Sequence, residues 1–129
     1  MEWFKRFLVK TRTTTQGIRS LSGGNQQKVI VARWIETDAR LLILEEPTIG
    51  VDVGAKADIY HLLQLSLSRG LAVLLISSDF EEVERVCHRA LVFSRGRVVA
   101  EIPRERLTVA ALTQTASGAT SAERRGASS

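Results

Sequence analysis

Two short apolar runs separated by a helical segment constrain the fold of this chain more than any other feature. The runs are Leu41–Leu44 and Leu71–Ile76, and polar or turn residues follow each of them. A run that is apolar on both faces is typical of a buried strand in a parallel sheet. Between the runs, apolar side chains recur at helical spacing, and Gly70 provides a C-terminal stop. The pattern predicts a βαβ unit and therefore an α/β fold with a mostly parallel sheet.

Further elements are predicted on both sides of this unit. A helix should begin after Ser22, which suits an N-cap, and should turn four apolar residues toward a core: Val29, Ala32, Trp34 and Ile35. A short helix is expected over Asp79–Cys87, and a β-hairpin is expected to turn at Arg95-Gly96. A last helix is predicted over Arg104–Thr115, and the small polar residues after it should be disordered.

Composition limits the class of protein. A chain of 129 residues with 44% hydrophobic and 25% charged residues is globular and close in length to one domain. No apolar run reaches the roughly 18 residues that cross a bilayer, and the N-terminus is unlike a secretory signal. Cys87 is alone, so a cytoplasmic location is expected. The net charge of +4 belongs to the two ends, and aromatic residues make up only 5%, which argues against a nucleic-acid surface.

A glycine-rich turn opens the first predicted helix, with the residues Leu21-Ser22-Gly23-Gly24-Asn25. Glycines at a helix start allow a phosphate to approach the backbone, where free N–H groups and the helix dipole stabilise the anion. Ser22 adds a hydroxyl donor. Taken alone, the same residues also fit a flexible loop before an N-cap.

Two carboxylates end the first predicted strand. Glu45 and Glu46 directly follow its apolar residues and precede Pro47, which cannot continue a sheet ladder. Carboxylate oxygens suit Mg²⁺, and a second carboxylate can polarise an attacking water. Taken alone, the pair also fits a strand that ends in solvent with two exposed acids.

Together and in this order, the motifs resemble those of the ATP-binding cassette (ABC) ATPases. Leu21–Asn25 is similar to the signature, Leu41–Glu46 to the Walker B strand, and Gly50–Asp52 to the loop at the dimer interface. The strings LSGGNQQKV and GVDVGAKADIY resemble the sugar-importer branch, specifically its second cassette. The resemblance covers about residues 5–115. It implies a partial P-loop NTPase fold that ends in a β-hairpin.

The resemblance also implies roles for the signature residues and the interface loop. Ser22, Gly23 and Gly24 would contact the γ-phosphate of ATP held by the opposite cassette, and Asn25 stands where most of the superfamily has glutamine. Asp52 would communicate between the two sites of a cassette pair.

Three further positions follow from the same resemblance. Glu46 matches the glutamate that polarises the water. Glu45 takes the place of the aspartate that supports Mg²⁺, and its arm is one methylene longer. Ser78 takes the place of the switch histidine, and serine also occurs there in the sugar branch.

The motif G-x-x-x-x-G-K-[ST], which cradles the β- and γ-phosphates, does not occur in the 129 residues. The chain is therefore interpreted in three stretches. Residues 1–20 would be a remnant of the helical subdomain, 21–115 the C-terminal half of a nucleotide-binding domain, and 116–129 a disordered tail. On this interpretation, the isolated chain should not turn over ATP.

The implied cofactors are ATP and Mg²⁺. The implied partners are another ABC cassette, transmembrane permease subunits and, indirectly, a periplasmic sugar-binding protein. Assembly with a permease would place the chain in the cytoplasm, peripheral to the membrane. Two alternatives remain open: a truncated or non-catalytic interaction module, and an ABC-type ATPase of DNA maintenance. The sugar-branch strings and the lack of long heptad helices argue against the second.

Overall fold

Helices and strands alternate along the described part of this computed structural model, which comprises residues 22–37 and 39–126. Side chains are described as far as residue 118. The chain divides into two compact units between Ile76 and Ser77, and each unit is described by itself. The expectation for residues 1–20 lies outside the described residues. Within them, no helix combines the length and the apolar character needed to cross a membrane.

The first unit is the predicted βαβ arrangement with a helix before it. Its elements are α1 (Gly23–Ile35), β1 (Leu41–Glu45), α2 (Val53–Ser68) and β2 (Ala72–Ile76). The two strands pair in parallel, with Leu41 opposite Ala72 and Glu45 opposite Ile76. Gly70 adopts φ +91° directly after α2, a left-handed conformation that suits a helix stop. The predicted α/β class is confirmed.

One apolar cluster holds the first unit together. Its buried members come from both helices and from β1: Val31, Leu42, Leu44, Ile59 and Leu63. Side chains alternate along β1, so Leu41 and Ile43 point to the other face and remain exposed. Trp34 is 55% exposed, and its predicted place in the core is therefore wrong. The buried stripe of α1 runs instead through Gly24, Lys28 and Val31, at spacings of four and three residues.

The second unit consists of a short helix, a hairpin and a long helix. Its elements are α3 (Phe80–Val86), β3 (Arg89–Ser94), β4 (Arg97–Pro103) and α4 (Val109–Gly126), with a short 3-10 turn over Arg104–Arg106. β3 and β4 pair antiparallel, as predicted. Arg95 and Gly96 both have positive φ, +49° and +75°, as a two-residue hairpin turn requires. The core is formed by Val83, Ala90, Val92, Ile102, Leu107 and Leu112.

The last helix differs from its prediction at both ends. The residues Arg104–Arg106 form the 3-10 turn, and α4 begins only at Val109. It then continues to Gly126, and the disordered tail over 116–129 stays a prediction. Ala116 packs against the core of the unit, which accounts for the continuation of the helix past Thr115.

Candidate functional site

The first turn of α1 is capped and open to solvent. Ser22 is the N-cap, as predicted, and its Oγ accepts a hydrogen bond from the Asn25 N–H at 3.4 Å. Ser22 and Gly23 are both exposed, and a Cβ at Gly23 would meet nothing within 4 Å. The N–H groups of a first turn have no partners within their own helix. An anion can therefore reach this turn.

Gly24 is a glycine for a different reason, because it lies where two helices meet. A Cβ at this position would stand 2.7 Å from the Cβ of Ala55 and 3.1 Å from Oδ2 of Asp52. Only a residue without a side chain lets the start of α1 approach the start of α2 this closely. The structure thus brings together two of the predicted site residues, Gly24 and Asp52.

Asp52 caps α2 in the same way that Ser22 caps α1. Its Oδ1 accepts a hydrogen bond from the Ala55 N–H at 3.0 Å, and this bond lowers the pKa of the carboxyl group below its ordinary value of 3.8. The residue is exposed, so a partner can reach it. Two large apolar side chains near it, Ile49 and Val53, are 77% and 84% exposed. The loop therefore presents a negative charge between two apolar side chains.

Sequence reasoning missed a buried ion pair between the two helices. Lys28 is only 5% exposed, and its Nζ lies 2.6 Å from Oδ2 of Asp58 on α2. The residues are thirty positions apart, and no spacing rule connects them. The one available signal was the position of Lys28, four residues after Gly24 on the same side of the helix.

The two carboxylates predicted for catalysis and metal support lie at the end of β1, as expected. Glu45 is exposed and Glu46 is half-buried. Glu46 has φ +44°, a left-handed conformation that is rare for a residue with a side chain. Two hydrogen bonds hold it there: its N–H donates to the Ile76 carbonyl at 2.8 Å, and its carbonyl accepts from the Ile49 N–H at 3.2 Å. Such strain is concentrated at functional sites.

The chemistry of these carboxylates fits Mg²⁺ in a limited way. The described residues contain no group of three His, Cys, Asp or Glu side chains that could hold a metal by themselves. Mg²⁺ is commonly bound by one or two carboxylates, with substrate phosphates and waters completing the shell. The exposed oxygens of Glu45 are suitable as one such ligand.

Ser78 belongs to the second unit, where polar contacts fix the loop that carries it. The preceding Ser77 donates its hydroxyl to Oε2 of Glu82 at 2.6 Å and accepts from the Asp79 N–H at 3.0 Å. Glu82 is only 2% exposed, whereas Ser78 is exposed. Asp79 also caps α3. The sequence identified Ser78 but gave no indication of the buried glutamate behind its loop.

Solved structures define the class to which this fold belongs. The dimeric structure of MJ0796, a bacterial ABC transporter cassette, matches with a TM-score of 0.67 and 25% identity, over 80% of this chain and 44% of that one. A putative metal-chelate type ABC transporter in an inward-facing conformation matches with a TM-score of 0.75 and 20% identity, over 92% and 47%. The fold is that of the ABC ATPase cassettes.

Sequence comparisons narrow the class further. The ABC transporter family matches residues 1–49. The ribose import ATP-binding protein RbsA 2 of Streptomyces avermitilis is 44% identical over 92% of this chain and 23% of its own length. The arabinose import ATP-binding protein AraG of Ralstonia nicotianae is 50% identical over 82% and 21%. The chain belongs to the ABC transporter ATP-binding family and contains part of one cassette. It spans about a fifth of the length of these relatives.

Proposed function

We propose that the chain is part of the ATP-hydrolysing subunit of a carbohydrate ABC importer, where its α1 turn binds the γ-phosphate of ATP held by a partner cassette. One observation carries the proposal: the open turn at Ser22–Gly23 and the exposed Asp52 loop are joined at Gly24. Dimerisation of a similar cassette and the import functions named for the sequence relatives support it.

The phosphate would be held by the first turn of α1. Ser22 can donate its hydroxyl proton while its Oγ still accepts from the Asn25 N–H. The N–H groups at Gly23 and Gly24 and the positive end of a 13-residue helix add stabilisation. Because Gly23 has no side chain and open space around it, the phosphate can approach the backbone directly.

The carboxylates at the end of β1 would serve the same subunit. Glu46 is proposed to orient and polarise the attacking water, and its hydrogen bonds to Ile76 and Ile49 fix the backbone from which its side chain extends. Glu45 is proposed as one ligand of Mg²⁺. When bound with ATP, Mg²⁺ neutralises charge that develops on the phosphates.

The remaining assignments concern assembly. Asp52, between exposed Ile49 and Val53, is proposed to contact the partner cassette. Ser78 is proposed to stand at the switch position near the nucleotide of a complete cassette. In a whole importer the subunit would lie at the inner face of the membrane, against permease subunits that receive sugar from a periplasmic binding protein.

Docking onto a nucleotide-loaded cassette tests the proposal. The full chain is titrated with the intact Streptomyces avermitilis relative, with and without Mg²⁺ and a non-hydrolysable ATP analogue, and binding is measured by sedimentation velocity. Binding should require the nucleotide. Ser22→Ala should weaken it about tenfold or more, since a hydrogen bond to a charged group contributes roughly 1.5–3 kcal/mol.

Ser68→Ala is the matched control, because Ser68 is an exposed serine at the C-terminal end of α2, outside the α1 turn, and donates to the Leu65 carbonyl. This variant should bind as well as the parent chain. Binding that ignores the nucleotide, or equal losses in the two variants, would contradict the proposed phosphate contact.

A non-catalytic docking module is the second candidate, favoured by the exposed turn at Ser22–Gly23 and the exposed Asp52 loop, which can meet a partner cassette whether or not Glu46 acts. It predicts the same docking without any need for Glu46. ATP turnover by the mixture separates the two candidates. The quantity compared is the ATP turnover of the mixture in excess of that of the relative alone. If Glu46→Gln removes this excess, the chain is a catalytic subunit. If the excess is unchanged, the docking module is supported.

A further inference from the structure

We propose that Lys28 and Asp58 are positioning residues that lock the α1 turn and the Asp52 loop into one rigid body. The inference deepens the proposed function and rests on it, because it assigns a purpose to the joint between two parts of the same site. Neither residue lies in the turn or in the loop. Lys28 lies one helical turn after Gly24 in α1, and Asp58 lies one helical turn after Ala55 in α2.

The first contact of the joint is the ion pair itself. The Lys28 ammonium is buried, and its Nζ lies 2.6 Å from Oδ2 of Asp58, whose side chain is 32% exposed. A buried charge that loses its partner is strongly unfavourable. Sliding or rotation of α1 against α2 would separate this pair, so the pair resists both movements.

The second contact lies one turn closer to the helix starts. Gly24 packs against Ala55 so closely that a Cβ would come within 2.7 Å. Residues 24 and 28 share one side of α1, and residues 55 and 58 share one side of α2. The helices therefore touch at two successive turns, and two points fix both the separation and the relative rotation. Ser22 and Asp52, the two caps, lie just before these contacts.

The two contacts between α1 and α2 couple the movements of the two parts of the proposed site. Whatever displaces the α1 turn, such as a phosphate bound there, must displace the Asp52 loop with it. Removing the lysine charge should therefore loosen the two cap segments together, although they are separate in sequence.

Hydrogen exchange of the full chain measures this directly. In Lys28→Met, the hydrogen-bonded amides of both cap segments should exchange about tenfold faster, because both segments share the lost contact. These amides are Asn25 and Gln26 in α1, and Val51, Ala55 and Lys56 around the start of α2. Amides of β1 and β2 should keep their rates. Arg89→Met is the matched control. Arg89 forms an ion pair of similar length, 2.8 Å to Glu101, but the side chains of both residues are more than half exposed, so its loss should leave these exchange rates unchanged.

Asp58→Asn is the milder second variant, for the case in which Lys28→Met does not fold. It should accelerate the same two segments, and Lys28→Met/Asp58→Asn should add little to the larger single effect. Acceleration of only one segment, or equal acceleration of the segments and of both strands, would overturn the inference.

The docking measurement distinguishes this inference from the proposed function. If Ser22→Ala binds normally, the proposed phosphate contact is refuted, whatever the hydrogen-exchange rates show. If Ser22→Ala weakens docking about tenfold while Lys28→Met and Asp58→Asn leave docking and exchange unchanged, only the positioning role is overturned. Weakened docking in both Lys28→Met and Asp58→Asn, with normal docking in Arg89→Met, supports it.

Discussion

Two adjacent glycines in this chain illustrate how one residue type serves two physical purposes. Gly23 stands in open space, so its lack of a side chain leaves room for something outside the chain. Gly24 has Ala55 and Asp52 where a Cβ would be, so it leaves room for a neighbouring helix. The sequence shows the pair as one motif, and only the packing separates the two roles.

Alanine substitutions separate these roles experimentally. Gly24→Ala should lower the free energy of unfolding by about 1–3 kcal/mol, the usual range for overpacking a close contact. Gly23→Ala should change it by less than about 1 kcal/mol, since alanine fits an exposed helical position. Urea unfolding followed by circular dichroism measures both. Equal effects of the two substitutions would contradict the packing role of Gly24.

The predictable residues were those whose chemistry is local. Ser22 as an N-cap and Glu45 and Glu46 at a strand end follow from neighbouring residues. Lys28 could not be predicted as buried, because its partner is supplied by another helix. The left-handed backbone of Glu46 was also invisible, because the hydrogen bond to Ile76 that stabilises it comes from the adjacent strand.

At the scale of elements, boundaries were predicted well where a glycine ends a helix or forms a turn. Gly70 ends α2, and the turn at Arg95-Gly96 joins the hairpin, because each position has a positive φ that glycine readily adopts. The C-terminal helix lacks such a signal. Its small polar composition predicted a tail from residue 116, whereas the helix runs to Gly126 and Ala116 packs against the core.

The hairpin turn and the last helix give opposite expectations for the same substitution. Gly96→Ala should lower the stability of the second unit by about 1–2 kcal/mol, because a Cβ disfavours the left-handed conformation. Gly118→Ala should raise it by roughly 0.5–1 kcal/mol, because Gly118 lies inside α4 with no atom in the way. Thermal unfolding of the two variants compares them. A stabilised Gly96→Ala would refute the turn geometry.

At the scale of the whole molecule, each unit has a core of its own and leaves apolar surface uncovered. In the first unit, the face of the strand pair opposite the core exposes Leu41, Ile43, Leu74 and Ile76. A groove of about 560 Å³ runs between α1 and β1 beside it. Strands that are apolar on both faces need two covering layers. We therefore expect the chain to be marginally stable or prone to associate.

Self-association is the observable that tests this. Ile43→Thr/Leu74→Thr should shift the chain toward monomer at tens of micromolar, with little loss of stability, because both side chains are already about half exposed. Leu44→Thr is the comparison, since Leu44 is buried and its replacement should destabilise the first unit instead. Sedimentation velocity across a dilution series provides the measurement. A parent chain that stays monomeric and melts in one sharp transition would refute the prediction.

The backbone at Glu46 has a consequence for how this position can evolve. A left-handed φ favours glycine or asparagine, so selection for folding alone would drive the glutamate out of a randomised population. A population that must also perform the proposed chemistry would keep the carboxylate despite its strained backbone. The two kinds of selection favour different residues at position 46. The residue retained there therefore indicates which kind of selection has acted on the chain.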